Sequence, residues 1–151
     1  MTSTDSNSSP ETSNQPTDSS VTSLPVHELA QHAIEAAFSK KATDIVVMDM
    51  QNVSGIADIF ILCTGTSDLQ IKAIYQAIRA RIREYGDELP WHMEGTDSLQ
   101  WVLLDYVNLV VHIFSEEKRE FYDLERLWGD APKETVSEED LIESISILKP
   151  N

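Results

Sequence analysis

Basic residues, cysteine and glycine are scarce in this sequence, and each shortage closes off a class of function. Eleven Lys and Arg stand against 26 Asp and Glu, a formal charge of −15 over 151 residues. A chain so negative repels a phosphate backbone, so direct nucleic-acid readout is not expected. It suits a basic protein surface as partner, or serves solubility alone. The single cysteine, Cys63, ends the apolar run that begins at Ile59. One thiol makes neither a disulfide framework nor a zinc motif, and a reducing cytoplasm is the expected compartment. With no electropositive setting near it, Cys63 reads as a small hydrophobe. The five glycines form no P-loop or dinucleotide fingerprint. No apolar run approaches the roughly 20 residues of a membrane span.

The opening stretch lacks basic residues and any apolar run. Residues 1–24 are rich in Ser, Thr, Asn and Pro, carry Asp5, Glu11 and Asp18, and precede the first basic residue, Lys40. A secretory signal needs a basic start and an apolar stretch, and a transit peptide needs Arg, so neither is expected. The composition predicts a disordered tail. A domain is predicted over 25–131. Residues 132–151 read as a C-terminal tail set off by Pro132, with a short helix where Ser137 and Asp140 resemble a capping box.

Within the domain, hydrophobic spacing alternates between two periods. Leu29, Ala30, Ala33, Ile34, Ala37 and Phe38 predict an amphipathic helix from Pro25 to near Lys41. Asp44 to Met50 and the nearly unbroken apolar Asp58 to Thr64 read as strands, the second covered on both faces. Gly65 breaks it. Ser67 and Gln70 then form a capping box ahead of the stripe Ile71, Ile74, Tyr75, Ile78, Ile82 and Tyr85, which Gly86 closes. Trp91 to Glu94 is a short strand candidate. Leu99 to Tyr106 and Leu109 to Phe114 read as a hairpin, and Glu116 to Trp128 as a helix through Phe121, Leu124 and Trp128. The order implies an α/β (α+β) domain: a mixed sheet of about five strands with helices packed on it.

The hairpin is the most informative segment. Side chains alternate between faces of a strand. With Val107-Asn108 as a two-residue turn, Asp105 opposes Val110, Leu103 opposes His112, and Trp101 opposes Phe114, all on one face. The other face, Val102, Leu104, Tyr106, Leu109, Val111 and Ile113, is almost wholly apolar and belongs to the core. The first face is either half-covered with a solvated polar pair, or a binding face. Large aromatics with a few polar groups are what interface centres use.

Five stretches in one order resemble a known family. They are Ala57 to Ser67, Glu94-Gly95, Trp101 to Tyr106, Val110 to Phe114, and Arg119 to Trp128. Together they are similar to the RsfS/Iojap proteins over about Pro25 to Ala131. The resemblance implies a translational repressor that binds ribosomal large-subunit protein 14 and keeps the ribosomal subunits apart. It puts the family's partner-contacting Trp and Asp on Trp101 and Asp105. The partner-binding set is then Trp101, Leu103, Asp105, His112, Phe114 and Glu94, with a homodimer conceivable when no ribosome is free. Two departures are visible. The family often has His where Gln70 stands, and Gly-Asp where Val107-Asn108 stands. Val resists the positive φ of a tight turn, and a one-residue slip would exchange the two faces.

The implied fold is nucleotidyltransferase-like, which raises an enzyme or nucleotide-binding alternative. Gly65-Thr66-Ser67 echoes the turn of such enzymes, but no Asp-x-Asp or Asp-x-Glu pair follows on a strand. No catalytic residue and no cofactor are therefore assigned. A metal site built from His92, Glu94, Asp105 and His112 fits no known spacing, so none is assigned either. His27 and His32 read as solvated, and Glu116, Glu117 and Glu120 as a favourable first helical turn.

Overall fold

The computed structural model describes residues 24–53, 55–139 and 145–149. The predicted N-terminal tail except for Leu24, and the part of the predicted C-terminal helix at 140–144, lie outside these residues. Helix α1 (Val26–Ser39) buries Leu29, Ala30, Ala33, Ile34, Ala36 and Ala37. Pro25 stands just ahead of it, its carbonyl accepting from the N–H groups of Glu28 and Leu29. Four alanines on one face leave little bulk between this helix and its neighbours. Lys41 then takes a positive φ of 66°, and the chain turns into strand β1 (Thr43–Asp49).

Strand β2 (Ile59–Gly65) is buried along its whole length, as its apolar run predicts. Helix α2 (Asp68–Gly86) follows, with Ile71, Ile74, Ile78 and Ile82 buried. Ser67 Oγ accepts the N–H of Gln70 at 3.1 Å. Gln70 does not return the expected capping-box bond to the Ser67 N–H but reaches one residue further back. Its Oε1 accepts the N–H of Thr66 at 2.6 Å, and its Nε2 donates to the carbonyls of Lys40 and Lys41, each at 3.0 Å. One side chain thereby ties the start of α2 to the end of α1.

The two helices also meet further along. Arg81 Nε donates to His32 Nδ1 at 3.0 Å, Arg81 pairs with Glu35, and the His32 ring stacks on Tyr85 with centroids 4.6 Å apart. His32 is therefore not the solvated residue expected from its spacing to His27. Burial, and then the Arg81 charge, hold its pKa below the ordinary value.

Strands β3 (His92–Glu94), β4 (Trp101–Asp105) and β5 (Leu109–Ser115) follow, the last two as the predicted hairpin. Helices α3 (Glu116–Tyr122) and α4 (Leu124–Leu127) replace the single helix expected over Glu116 to Trp128. Asp123 breaks it in the left-handed conformation, φ 49°, which a short polar side chain tolerates. The bend turns Leu124 inward and leaves Phe121 73% exposed.

Beyond Pro132 the described residues stay with the fold. Strand β6 (Lys133–Val136) pairs antiparallel with β1, Ile45 opposite Val136 and Met48 opposite Lys133. Ile145 and Leu148 are buried in the helix-side core, and Ser146–Leu148 forms a 3₁₀ turn. The segment read as a tail thus supplies a sixth strand and core residues. Lys-Glu-Thr-Val shows no apolar alternation, so its pairing was invisible to hydrophobic spacing.

Among the described residues the sheet has six strands in the order β3-β4-β5-β2-β1-β6. The β2–β5 pair is parallel and the others are antiparallel, which makes the sheet mixed. Helices α1 and α2 cover one face, sealing Ile45, Val47, Ile61, Cys63, Leu104, Val111 and Ile113 into the main core. A second cluster on the opposite face gathers Val46, Met48, Phe60, Leu62, Val110 and Phe114 under Leu124 and Ala131.

Candidate functional site

The hairpin register is the one that alternation implies. Trp101 faces Phe114, Leu103 faces His112, and Asp105 faces Val110. The N–H of Tyr106 bonds the carbonyl of Leu109 at 2.8 Å, leaving Val107 and Asn108 as the turn. Val107 accepts a φ of 76°. Two bonds hold it there: its N–H to Asp105 Oδ1 at 2.7 Å, and the Asn108 N–H to the Tyr106 carbonyl at 3.0 Å. Asp105 thus builds the turn with one carboxylate oxygen.

Strand β3 widens this face. His92 lies opposite Asp105 and Glu94 opposite Leu103, and opposed residues share a face. His92 Nε2 meets Glu94 Oε2 at 2.7 Å, both well exposed. Gly95 ends the strand at φ 81°, so close to β4 that a Cβ there would sit 1.9 Å from the Trp101 carbonyl oxygen. Only glycine fits, which explains the Glu94-Gly95 pair in physical terms.

Helices α3 and α4 cover the β5-β2-β1 part of this face and leave the β4-β3 part open. The open part presents Trp101, Leu103 and Asp105, each half-buried, beside the exposed His92 and Glu94. His112 and Phe114 belong to the same face but lie beneath it, 4% and 0% exposed. They support the surface and do not form it. Phe114 stacks under Trp101 at 5.0 Å, and Tyr122 of α3 flanks it at 4.6 Å. The Trp101 indole N–H donates to His112 Nδ1 at 3.1 Å. His112 is consequently neutral, with its proton on Nε2. Burial, with a smaller push from the Arg119 charge, brings its pKa down to about 3.

Sequence spacing missed the rim of this site. Tyr122, Phe121 and Leu127 are exposed around the α3–α4 bend, where helical periodicity would have turned Phe121 inward with Leu124. The left-handed Asp123 was the missing signal.

A depression at the carboxyl ends of β2 and β5 is lined by Gly65, Thr66, Ser67, Asp68, Gln100, Glu116 and Glu117. A triphosphate there would meet three carboxylates and no lysine or arginine. Burial pushes the Cys63 thiol up to about 12, far from a reactive thiolate. Among the described residues no three His, Cys, Asp or Glu side chains gather as a metal site would need.

Fold and site define a small α/β domain, whose sheet is sealed by helices on one face and half open on the other. Sequence comparison gives the family. Residues 23–147 match the model of RsfS, described as the ribosomal silencing factor during starvation. The ribosomal silencing factor RsfS of Bacillus subtilis is 44% identical over 100 residues, 66% of this chain and 84% of that protein. Its counterpart from Halalkalibacterium halodurans is 42% identical over 105 residues, 70% and 89% of the two chains. A crystal structure of a Chromobacterium violaceum protein superposes with a TM-score of 0.67 at 33% identity, covering 70% of this chain and 88% of that one. The chain belongs to the RsfS family of ribosomal silencing factors. It is a ribosome-associated regulator of translation, a non-enzymatic role. Among the described residues no helix is long and apolar enough to cross a membrane.

Proposed function

We propose that this chain represses translation by docking the open face of its sheet on ribosomal large-subunit protein 14, so that its bulk keeps the small subunit from joining. One observation carries the reading: the uncovered half of the sheet presents the edge of an aromatic stack, Trp101 on Phe114 beside Tyr122, within a rim of Asp105 and Glu94. A half-buried aromatic centre with a charged rim is the anatomy of a protein interface. The acidic rim suits a basic partner, and the chain's net charge of −15 would steer such a partner in. The reading implies a cytoplasmic protein, in keeping with its bacterial relatives.

The test is co-sedimentation with isolated large subunits, followed by a subunit-joining assay on sucrose gradients. Wild type is expected to pellet with large subunits and to lower the yield of joined ribosomes. Trp101→Ala should lose about 2 kcal/mol or more of binding, the scale of an interface hot spot. Asp105→Asn is the better second variant, because it removes the charge yet keeps an acceptor for the Val107 N–H. Wild-type levels of pelleting by both variants would refute the assignment of this face.

A self-paired form is a second reading, favoured by the exposed Phe121, Tyr122 and Leu127 beside the site. Sedimentation velocity at several concentrations measures it. A dimer using this face should dissociate on large subunits, and Trp101→Ala should weaken both associations.

A further inference from the structure

We infer that His112 is a positioning residue for recognition: by taking the indole N–H of Trp101 it fixes the ring, so that a partner meets a ring held in one orientation and finds no free N–H. The inference rests on the docking role proposed for this face, and it names what the partner must bring.

The geometry is specific. Trp101 and His112 are diagonal neighbours on adjacent strands, since Trp101 opposes Phe114 and His112 opposes Leu103. That diagonal lies within reach of aromatic side chains. The His112 ring stacks on Phe114 at an interplanar angle of 11° and meets Phe60 edge-on with centroids 4.7 Å apart. Packed between these rings, the imidazole has little room to turn. Its Nδ1 is spent on Trp101, while its Nε2 is buried with no partner among the described residues. Leaving a buried polar atom unpaired is costly, and a leucine or phenylalanine at this place would avoid the cost. The histidine is explained by what its other nitrogen does for Trp101. Stacking alone leaves an indole free to slide or flip, whereas a directed N–H bond selects one orientation.

A tryptophan whose N–H is already satisfied offers no donor to a carbonyl or carboxylate. It offers only the apolar carbons of its exposed edge. The matching group on the partner is an apolar side chain, or an arginine whose stem packs on the ring edge while its guanidinium reaches the carboxylates of Glu94 and Asp105 on the same face.

Two variants separate positioning from packing. His112→Phe keeps an aromatic ring and removes the acceptor. His112→Asn places a carbonyl oxygen where Nδ1 stood and restores it. The three indole N–H signals of ¹⁵N-labelled protein are assigned by single Trp→Phe replacements, and their exchange with solvent is measured. In wild type the Trp101 indole should exchange far more slowly than that of Trp91, which is largely exposed. His112→Phe should lose that protection and bind large subunits about tenfold more weakly, the order expected for a lost buried hydrogen bond. His112→Asn should recover most of both. Rapid exchange of the Trp101 indole in wild type overturns the inference, as does His112→Phe binding within twofold of wild type. If wild type fails to pellet with large subunits, the docking role falls. The exchange data then decide alone whether His112 holds Trp101, with loss in His112→Phe and recovery in His112→Asn supporting it.

Discussion

Arg119 grips Glu125 across the break between α3 and α4. Its Nη2 donates to one carboxylate oxygen at 2.9 Å and its Nε to the other at 3.3 Å. The remaining Nη1 donates to the hydroxyl of the buried Thr64 at 2.8 Å. Three elements are pinned by one guanidinium: α3, α4 and the end of β2. The bend that sets Tyr122 beside Trp101 depends on it. Burial, the largest single influence, pushes the Glu125 pKa up, but the hydrogen bond and charge of Arg119 outweigh it, and the net shift is downward from 4.5. A depressed carboxyl adds stability above its unfolded value, and that stability is lost as pH falls through the folded one. Glu125→Gln should therefore cost about 2 kcal/mol at pH 7, with the difference from wild type shrinking below pH 4.5. Urea denaturation at neutral and acid pH measures it. A deficit that does not change with pH would show that the charge contributes nothing.

Val107 is the strained residue of the hairpin. It is β-branched, 54% exposed, and held at φ 76°. Such a residue rarely adopts positive φ, and the cost is on the order of 1–3 kcal/mol. Glycine adopts the conformation freely but loses more entropy on folding. Val107→Gly should leave a net gain of about 1 kcal/mol, seen as a higher denaturation midpoint with an unchanged slope. A lower midpoint would mean that the Val107 side chain makes a contact worth more than the strain.

Much of this face was readable because alternation is a strict rule. A two-residue turn fixes every opposed pair in a hairpin, and Trp101, Leu103 and Asp105 fall on one face by counting. Counting cannot say which part of that face is covered. His112 and Phe114 share it with Trp101, yet lie under α3 and α4, because a strand in mid-sheet can be packed on both sides. The cover itself was misread, since the left-handed Asp123 redirects a helix that periodicity runs straight through. Strand β6 was hidden for a different reason. Its pairing with β1 is made by backbone groups, and only Val136 among its four residues is buried. His32 was hidden likewise: its partners, Arg81 and Tyr85, lie on another helix.

Acid should destabilise this fold through His112. In the unfolded chain the imidazole titrates near 6.5, while in the fold it stays neutral down to about 3. Between those values only the unfolded chain takes up the proton. Stability is therefore complete above pH 6.5 and declines as pH falls, by up to about 1.4 kcal/mol per unit, or about 2 kcal/mol by pH 5. The charge that acts on the imidazole belongs to Arg119. His32 is depressed in the same direction but is only partly buried, so it adds a smaller decline. Glu125 contributes only below 4.5. Denaturant midpoints of wild type and His112→Asn, compared between pH 7 and pH 5, isolate the effect. The variant should start lower at pH 7, for want of the ring's packing, and fall less steeply. Parallel curves would mean that the imidazole becomes protonated in the folded protein, which it can do only by giving up the Trp101 N–H.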